Sequence, residues 1–317
     1  MKFLYHALSR VRGDRLLWKL RSSGLRILCY HGVCEDRLSG EPWIPSEFVT
    51  QSAFETQLQY LRNTASVLPL SEAIVRLREG SLPPRSVSLT FDDGYANNLQ
   101  LAYPLLEKYR TPATIFLSTA YMESGDFFPF LRQRLVRMES QRAAAQPLLD
   151  YKTNPLDLVM ERTEQFWPEV RNRLSKDQER LLRPLTVEDV RGADSQLLEF
   201  GAHSHTHCIL KNEKPERRRE EIRTSLAKVR FWTGRPAPLF SYPNGQHGDF
   251  GDMDKKVLSS EGIQGAVSGI RGVNGDSSDL LELKRYPVGL YHDGAGFSAE
   301  LVGFRSALLA VSRSLPS

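Results

Sequence analysis

Short apolar runs recur along the chain, and between them lie longer stretches in which apolar residues return every three or four positions. Apolar runs bounded by polar segments predict buried strands, whereas the longer spacing predicts amphipathic helices. The runs place strands at residues 27–30, 87–91, 114–117, 197–200, 239–242 and 265–267. Strands that alternate with helices indicate an α/β fold with a mainly parallel sheet. Polar groups at several strand ends favour a barrel-like arrangement with a site at one mouth.

One long stretch departs from this alternation. Residues 126–191 contain no glycine and no histidine and are rich in Arg, Leu, Glu and Gln. This composition predicts a helical insertion within a barrel domain that we place at residues 25–317. The sequence leaves open whether the insertion only covers the barrel or also shapes a substrate cleft. A final helix is predicted after Gly289, with apolar residues at Phe297, Leu301 and Phe304.

The first 24 residues carry basic and apolar side chains at roughly helical spacing, which predicts a basic amphipathic helix. Such a helix either contacts an anionic membrane surface through residues 1–21 or packs on the flank of the domain. The segment lacks the apolar core and small-residue cleavage site of a signal peptide. We therefore expect a cytoplasmic protein, with peripheral membrane association as the open alternative.

Composition narrows the function classes. The chain has 317 residues, of which 40% are hydrophobic and 25% are charged, and this composition is typical of a globular protein. The net charge of +4 is too small for a dedicated nucleic-acid binder, so we expect no nucleic-acid partner. The three cysteines form no CxxC pair and predict no disulfide framework.

The histidines supply the first candidate chemistry. Three of the seven histidines, His203, His205 and His207, fall within five residues directly after a predicted strand. On a helical turn His203 and His207 face the same side, whereas in an extended segment all three share a face. The cluster is either a metal site or a polar loop.

Two adjacent carboxylates, Asp92 and Asp93, end another strongly apolar strand and precede Gly94. Burying an unpaired carboxylate is costly, and a nearby cation removes that cost, although an acidic turn is the simpler alternative. Two histidines with one carboxylate are a common catalytic zinc set. The remaining aspartate is then free for proton transfer, so the combination suits hydrolysis of an amide or ester.

Three ordered motifs make the interpretation more specific: Thr90-Phe91-Asp92-Asp93-Gly94, His203-Ser204-x-x-His207 and Ser241-Tyr242-Pro243-Asn244-Gly245. Together they resemble the motif set of the polysaccharide deacetylases, the family related to carbohydrate esterase family 4 with the NodB homology domain. Tyr30-His31-Gly32-Val33 resembles the opening strand of one bacterial branch. The resemblance implies a deformed (β/α) barrel.

The resemblance also implies roles for individual residues. Asp93, His203 and His207 would hold a divalent metal, expected to be Zn²⁺, with Co²⁺ or Ni²⁺ as alternatives. Asp92 would be the general base, and the backbone N–H of Tyr242 would stabilise the oxyanion.

At other positions the same resemblance leaves alternatives open. His205 has no expected role and is the alternative ligand. The general acid is expected to be His31, with His292 as the alternative. Position 241 is serine where many members carry an arginine that orients the base, which leaves the orientation of Asp92 unexplained.

These roles imply a metal-dependent hydrolase that removes N-acetyl or other N-acyl groups from an amino sugar in a polysaccharide or its lipid-linked precursor. The expected partner is therefore a carbohydrate. Two alternatives remain, a metal-dependent amidohydrolase or deformylase acting on another small amide, and a carbohydrate-binding relative without catalysis. A free carboxylate at Asp92 argues against the binding-only alternative, because binding alone does not need it.

Overall fold

The computed structural model describes residues 22–140, 148–292 and 294–301. The strands, in chain order, are β1 (Arg26–Tyr30), β2 (Val33–Cys34), β3 (Val49–Thr50), β4 (Ser66–Val67), β5 (Ser86–Phe91), β6 (Ala113–Leu117), β7 (Leu198–Ala202), β8 (Leu239–Ser241), β9 (Gly265–Val267) and β10 (Tyr286–Pro287). All six predicted strands are present, with bounds shifted by at most two residues.

Helices occupy most of the connections between these strands. They are α1 (Gln51–Thr64), α2 (Leu70–Arg78), α3 (Tyr103–Tyr109), α4 (Thr119–Ser124), α5 (Pro129–Glu139), α6 (Leu156–Glu164), α7 (Trp167–Arg171), α8 (Lys176–Leu182), α9 (Val187–Arg191), α10 (Pro215–Thr233), α11 (Asp252–Ser260) and α12 (Gly294–Leu301). A π-helical turn (Asn98–Ala102) precedes α3, and short 3₁₀ turns lie at Asp36–Leu38 and Leu210–Asn212.

The main sheet is parallel throughout and runs in the order β10-β1-β5-β6-β7-β8-β9, with β4 paired to the first residues of β5. An isolated parallel bridge joins Val267 at the end of β9 to Leu283, just before β10. This bridge links the two ends of the strand path, so the sheet curls into a deformed barrel. The predicted fold class is therefore confirmed.

Side chains two residues apart along a strand share a face, and the inward face of the main strands changes character along their length. Every residue of β1 and β5 is buried, as expected for parallel strands covered on both faces. Interior positions Ile27, Leu239 and Val267 form one buried cluster with the apolar face of α2. Residues two positions further along β1 and β8, Cys29 and Ser241, share the same face and point toward the carboxyl ends of the strands.

The predicted insertion is helical in its described part. Apart from an isolated bridge at Pro184, the regular elements within 126–140 and 148–191 are α5 to α9. The predicted helix after Gly289 is present as α12, and the part predicted beyond residue 301, including Phe304, lies outside the described residues. The amphipathic segment 1–21 also lies outside them, so its membrane contact and the cytoplasmic location stay predictions. Among the described residues, no helix combines the length and hydropathy that a bilayer crossing requires.

Candidate active site

The carboxyl ends of β1, β5, β7 and β8 surround a cavity of about 810 Å³. Parallel strands bring their carboxyl ends to the same mouth of a barrel, and side chains from different strands therefore meet there. Five residues predicted for the site line this cavity, namely His31, Asp92, Asp93, His203 and His207.

The loops at this mouth have unusual backbone conformations. Asp93, Ser204, His207 and Asn244 have φ angles of 74°, 58°, 58° and 57°. Positive φ is uncommon for residues other than glycine and tends to concentrate at functional sites. Gly94 continues the turn with φ of 85°, and a Cβ there would lie 2.8 Å from the Leu117 side chain. The Asp-Asp-Gly sequence is therefore a sharp turn that carries both carboxylates into the cavity.

Asp93, His203 and His207 form a compact cluster, with one potential ligand atom from each lying within 4.8 Å of the others. Asp93 Oδ1 is 3.0 Å from His207 Nε2 and 3.5 Å from His203 Nε2. Both Asp93 oxygens are buried and lack a geometrically acceptable hydrogen-bond partner among the described residues. The cluster thus concentrates potential ligands without satisfying the carboxylate.

In both His203 and His207, the ring nitrogen that faces away from Asp93, the outer nitrogen Nδ1, has a hydrogen-bond partner. His203 Nδ1 lies 2.8 Å from the Ser241 carbonyl oxygen, which can only accept a hydrogen bond. His207 Nδ1 lies 2.6 Å from the Tyr151 hydroxyl, whose single proton goes to the His207 carbonyl oxygen, so the hydroxyl oxygen accepts from Nδ1. Both contacts place the proton on Nδ1, and in the neutral ring this leaves the Nε2 lone pair directed toward Asp93.

These residues fit a divalent metal. Two imidazole lone pairs and a carboxylate oxygen converge, and this is a donor set found in catalytic zinc sites. A cation between them would satisfy the buried Asp93 oxygens, whose burial otherwise costs free energy. Hydrogen bonds to the outer nitrogens are typical of metal-ligating histidines.

The second aspartate, Asp92, is held by an arginine that sequence reasoning missed. Arg285 lies just before β10, and its two terminal nitrogens are 2.8 and 2.6 Å from the two Asp92 oxygens. Ser241 Oγ completes the arrangement, 3.2 Å from Asp92 and 3.1 Å from Arg285. The guanidinium expected at position 241 therefore comes from another part of the chain, and a serine leaves room for it.

Charge at the site follows from burial and these pairings. Burial raises the pKa of the Asp92 carboxyl, but the charges of Arg285 and then His203 more than offset it, so the pKa lies below its usual range. Burial likewise raises the pKa of Asp93, and interactions with His203 and His207 reverse the shift. Burial lowers the pKa of His203, but Asp92 and Asp93 raise it overall. Two ionised carboxylates thus favour positive charge in the cluster, either a proton or a metal.

The candidate general acids occupy different places. A ring nitrogen of His31 lies within 4.8 Å of a carboxylate oxygen of Asp92, and its buried Nδ1 has no hydrogen-bond partner among the described residues. His292 lies outside the cavity lining, and its Nδ1 accepts from the Gly289 N–H. His205 is also absent from the lining, and its Nδ1 contacts the Thr119 hydroxyl. The geometry favours His31 as the acid and leaves His205 outside the metal cluster.

The structure contradicts the role predicted for Tyr242. Its backbone N–H donates to the Val267 carbonyl oxygen, 3.1 Å away, and is not available to an oxyanion. Its ring points away from the cavity and stacks on Phe250 with centroids 3.9 Å apart. Asn244, two residues on, lines the cavity instead, and nothing in the described part of the chain accepts from its N–H.

Comparisons with known proteins agree with this geometry. The sequence profile described as polysaccharide deacetylase matches residues 79–266, more than half of the chain. The chain belongs to the polysaccharide deacetylase family. Arg285 pairs with Asp92 where Ser241 replaces the expected arginine, and Asp92, Asp93, His203 and His207 meet in one cavity.

Individual family relatives match shorter segments. The poly-β-1,6-N-acetyl-D-glucosamine N-deacetylase of Staphylococcus aureus strain MSSA476 is 32% identical over 111 residues, covering 35% of this chain and 38% of the relative. The Staphylococcus epidermidis protein of the same name is 40% identical over 91 residues, covering 28% and 32%. The matched segments thus span well under half the length of these relatives.

Solved structures match over more of the chain. The Streptococcus pyogenes deacetylase PplD, in complex with acetate, aligns with a TM-score of 0.62 at 18% identity, covering 88% of this chain and 99% of that one. IcaB from Ammonifex degensii aligns with a TM-score of 0.59 at 18% identity, covering 89% and 98%. At this identity the likeness establishes the deacetylase fold.

We predict that Tyr151→Phe lowers metal affinity by about tenfold or more, as changes in the groups around a ligand commonly do. The variant removes the hydroxyl that holds His207 Nδ1 but retains the ring. Competition with a chromogenic chelator measures the affinity directly. Tyr121→Phe is the matched control, because that hydroxyl donates to the neighbouring Thr206 carbonyl and touches no ligand ring. Equal metal affinities in Tyr151→Phe and Tyr121→Phe would contradict the proposal that the Tyr151 hydroxyl orients a metal ligand.

We predict that Arg285→Met lowers the free energy of unfolding by about 3 kcal/mol, because Asp92 would remain as an unpaired buried charge. In Asp92→Asn/Arg285→Met both charges are absent, so the double variant should be more stable than the sum of the two single effects implies. Urea unfolding of the four proteins measures this coupling. Strictly additive losses would show that the pair contributes no net interaction.

Proposed function

We propose that this protein is a metal-dependent hydrolase that removes the N-acetyl group from an amino sugar of a glycan. The single observation that supports this most strongly is that the cavity holds both a cluster of potential metal ligands and a separate carboxylate. Asp93, His203 and His207 form a ligand cluster, while Asp92 stays outside it with an oxygen 4.0 Å from His203 Nε2. A carboxylate that lies beside a metal site but does not serve as a ligand is suited to proton transfer.

When bound, a divalent ion supplies Lewis acidity, which polarises an amide carbonyl and makes water more acidic. Asp92 accepts the proton of the attacking water, and Arg285 keeps this carboxylate ionised and fixed in orientation. His31, at the end of β1, donates a proton to the leaving nitrogen. The Asn244 N–H stabilises the oxyanion in place of Tyr242. A C–O bond forms, the C–N bond breaks, and the products are acetate and a free amine.

The names of the relatives support an amino-sugar substrate. Both staphylococcal relatives are named as N-deacetylases of poly-β-1,6-N-acetyl-D-glucosamine. The volume of the cavity, about 810 Å³, also suits a sugar unit with its neighbours better than a small isolated amide. We propose zinc as the metal, because two imidazoles and one carboxylate match its usual catalytic ligands.

Acetate release from β-1,6- and β-1,4-linked N-acetylglucosamine oligomers tests this function. The protein is stripped of metal, and turnover is measured before and after addition of Zn²⁺, Co²⁺ or Ni²⁺. Release that depends on both metal and Asp92 supports the proposal. Binding of oligomers without release under any metal would favour a carbohydrate-binding relative, whereas release only from simple acetamides or formamides would favour the small-amide alternative.

A further inference from the structure

One face of α5 forms a wall of the cavity. Phe130, Arg134, Arg137 and Met138 all line it, and their spacing of four, seven and eight residues places them on a single helical stripe. The helix lies in the insertion, outside the strands that carry the metal and base residues. Arg134, Arg137 and Met138 therefore lie outside the residues proposed for metal binding and proton transfer and are free to determine which glycan fits.

The stripe formed by these four residues runs along α5 away from the proposed metal cluster. At its inner end, the Phe130 ring centroid lies 4.8 Å from that of the ligand His207. A rise of 1.5 Å per residue puts the Arg134 and Arg137 positions about 6 and about 10 Å further along the helix axis. A sugar whose N-acetyl group sits at the metal cluster would thus place its linkage, or the next unit, beside these two arginines.

The positive charges of this wall and of Lys152, which also lines the cavity, are not neutralised by the rest of the lining. Arg134, Arg137 and Lys152 face a single carboxylate, Glu47, other than Asp92 and Asp93. Within the described residues, Arg137 and Lys152 are exposed and form no ion pair.

Arg134 differs from the two exposed cations. One terminal nitrogen donates to the Pro42 and Ile44 carbonyl oxygens, which fixes the side chain against the facing loop. Its Nε is buried and has no partner in the described part of the chain. One terminal nitrogen of the Arg134 guanidinium is thus fixed by two carbonyl oxygens, whereas its Nε–H is left without an acceptor in the described part of the chain.

We propose that the cavity selects an amino sugar that carries an anionic group, a phosphate or a carboxylate, within about one sugar unit of the N-acetyl group. This inference rests on the proposed deacetylase function and names its substrate class. Guanidinium groups bind both anions through paired hydrogen bonds, and uncompensated cations in a cleft raise the local concentration of anionic ligands. The glycan in the names of the staphylococcal relatives carries no such group.

Matched substrates test the inference and separate the two anions. N-acetylglucosamine 1-phosphate is compared with the neutral methyl N-acetylglucosaminide, and a glucuronic acid–N-acetylglucosamine disaccharide is compared with N,N′-diacetylchitobiose. For the preferred anion, kcat/KM should exceed that of its neutral partner and fall with added salt, since exposed charge interactions are screened. The neutral substrates should show no such salt dependence.

Arg137→Gln/Lys152→Gln should reduce kcat/KM for the preferred anionic substrate by about tenfold, a few-fold for each exposed charge contact. Turnover of the neutral substrates should stay unchanged. Arg62→Gln, an exposed arginine on α1 away from the cavity, is the matched control and should change neither. Equal loss on neutral and anionic substrates, or no anionic preference in the native protein, would overturn the inference.

Calorimetric binding of the same sugars to the metal-loaded protein keeps the two proposals distinguishable. If no substrate is hydrolysed but the anionic sugars bind more tightly, with a loss in the double variant, the deacetylase proposal fails and the anion selectivity stands. If neutral oligomers are hydrolysed and the anionic sugars show no advantage in binding or turnover, the function stands and the selectivity is wrong.

Discussion

Asp92→Asn should lower kcat for acetate release by about a thousandfold, the middle of the range for losing a general base. Asparagine has nearly the same shape but cannot accept the proton of the attacking water. The proposed metal ligands are Asp93, His203 and His207, so metal content should stay at the native level. Steady-state kinetics with elemental analysis of the same preparations measures both effects.

The substitution also removes the partner of a buried guanidinium. Arg285 would lose its charge pair, with an expected cost of about 3 kcal/mol in the free energy of unfolding. Thermal unfolding must therefore show that the variant is folded at the assay temperature. Cys29→Ala is the matched control, because its thiol only donates a weak hydrogen bond to Asp92 over 3.6 Å and the proposed mechanism gives it no proton to transfer, so the variant should retain most activity. Full activity in the asparagine variant would remove Asp92 from the mechanism.

His203→Ala should lose both metal and turnover. Changes in the groups that merely surround a ligand reduce metal affinity by about 10- to 100-fold, so loss of a ligand should cost more than about a hundredfold. The remaining Asp93 and His207 would leave an incomplete donor set with a buried carboxylate. Chelator competition gives the affinity, and turnover is measured with excess metal.

His205→Ala is the control for that experiment. It removes a histidine from the same short segment, but one whose ring contacts the Thr119 hydroxyl rather than the cavity. Metal affinity should remain close to native in this variant. The reverse result, with metal retained in His203→Ala and lost in His205→Ala, would make His205 the ligand and require a different loop arrangement.

The error at Tyr242 has a simple physical cause. Along an extended segment, neighbouring side chains point to opposite faces, so Ser241 faces Asp92 while Tyr242 packs on Phe250. The motif located the correct loop, but the register of β8 against β9 ties the Tyr242 N–H to Val267. Only the paired strand reveals which amide of the loop remains free.

Arg285 and Tyr151 were missed for a different reason. Arg285 is separated by 193 residues from Asp92, and Tyr151 by 56 residues from His207. Neither belongs to a motif, and each reaches the site because its segment packs against a strand end after the chain has closed. The one indirect signal for Arg285 was the serine at position 241, which left the orientation of Asp92 without an explanation in the sequence.

The sequence by itself determined the features that depend on neighbouring residues. Apolar periodicity specified the six main strands, the glycine-free stretch marked the helical insertion, and the Asp92-Asp93 and His203 to His207 motifs predicted a base and ligands that the structure brings to one cavity. The tertiary structure alone decided which groups surround them: Arg285 on Asp92, Tyr151 on His207, and the charged face of α5 along the cavity. Local patterns follow from backbone geometry over a few residues, whereas these contacts exist only once distant segments pack together.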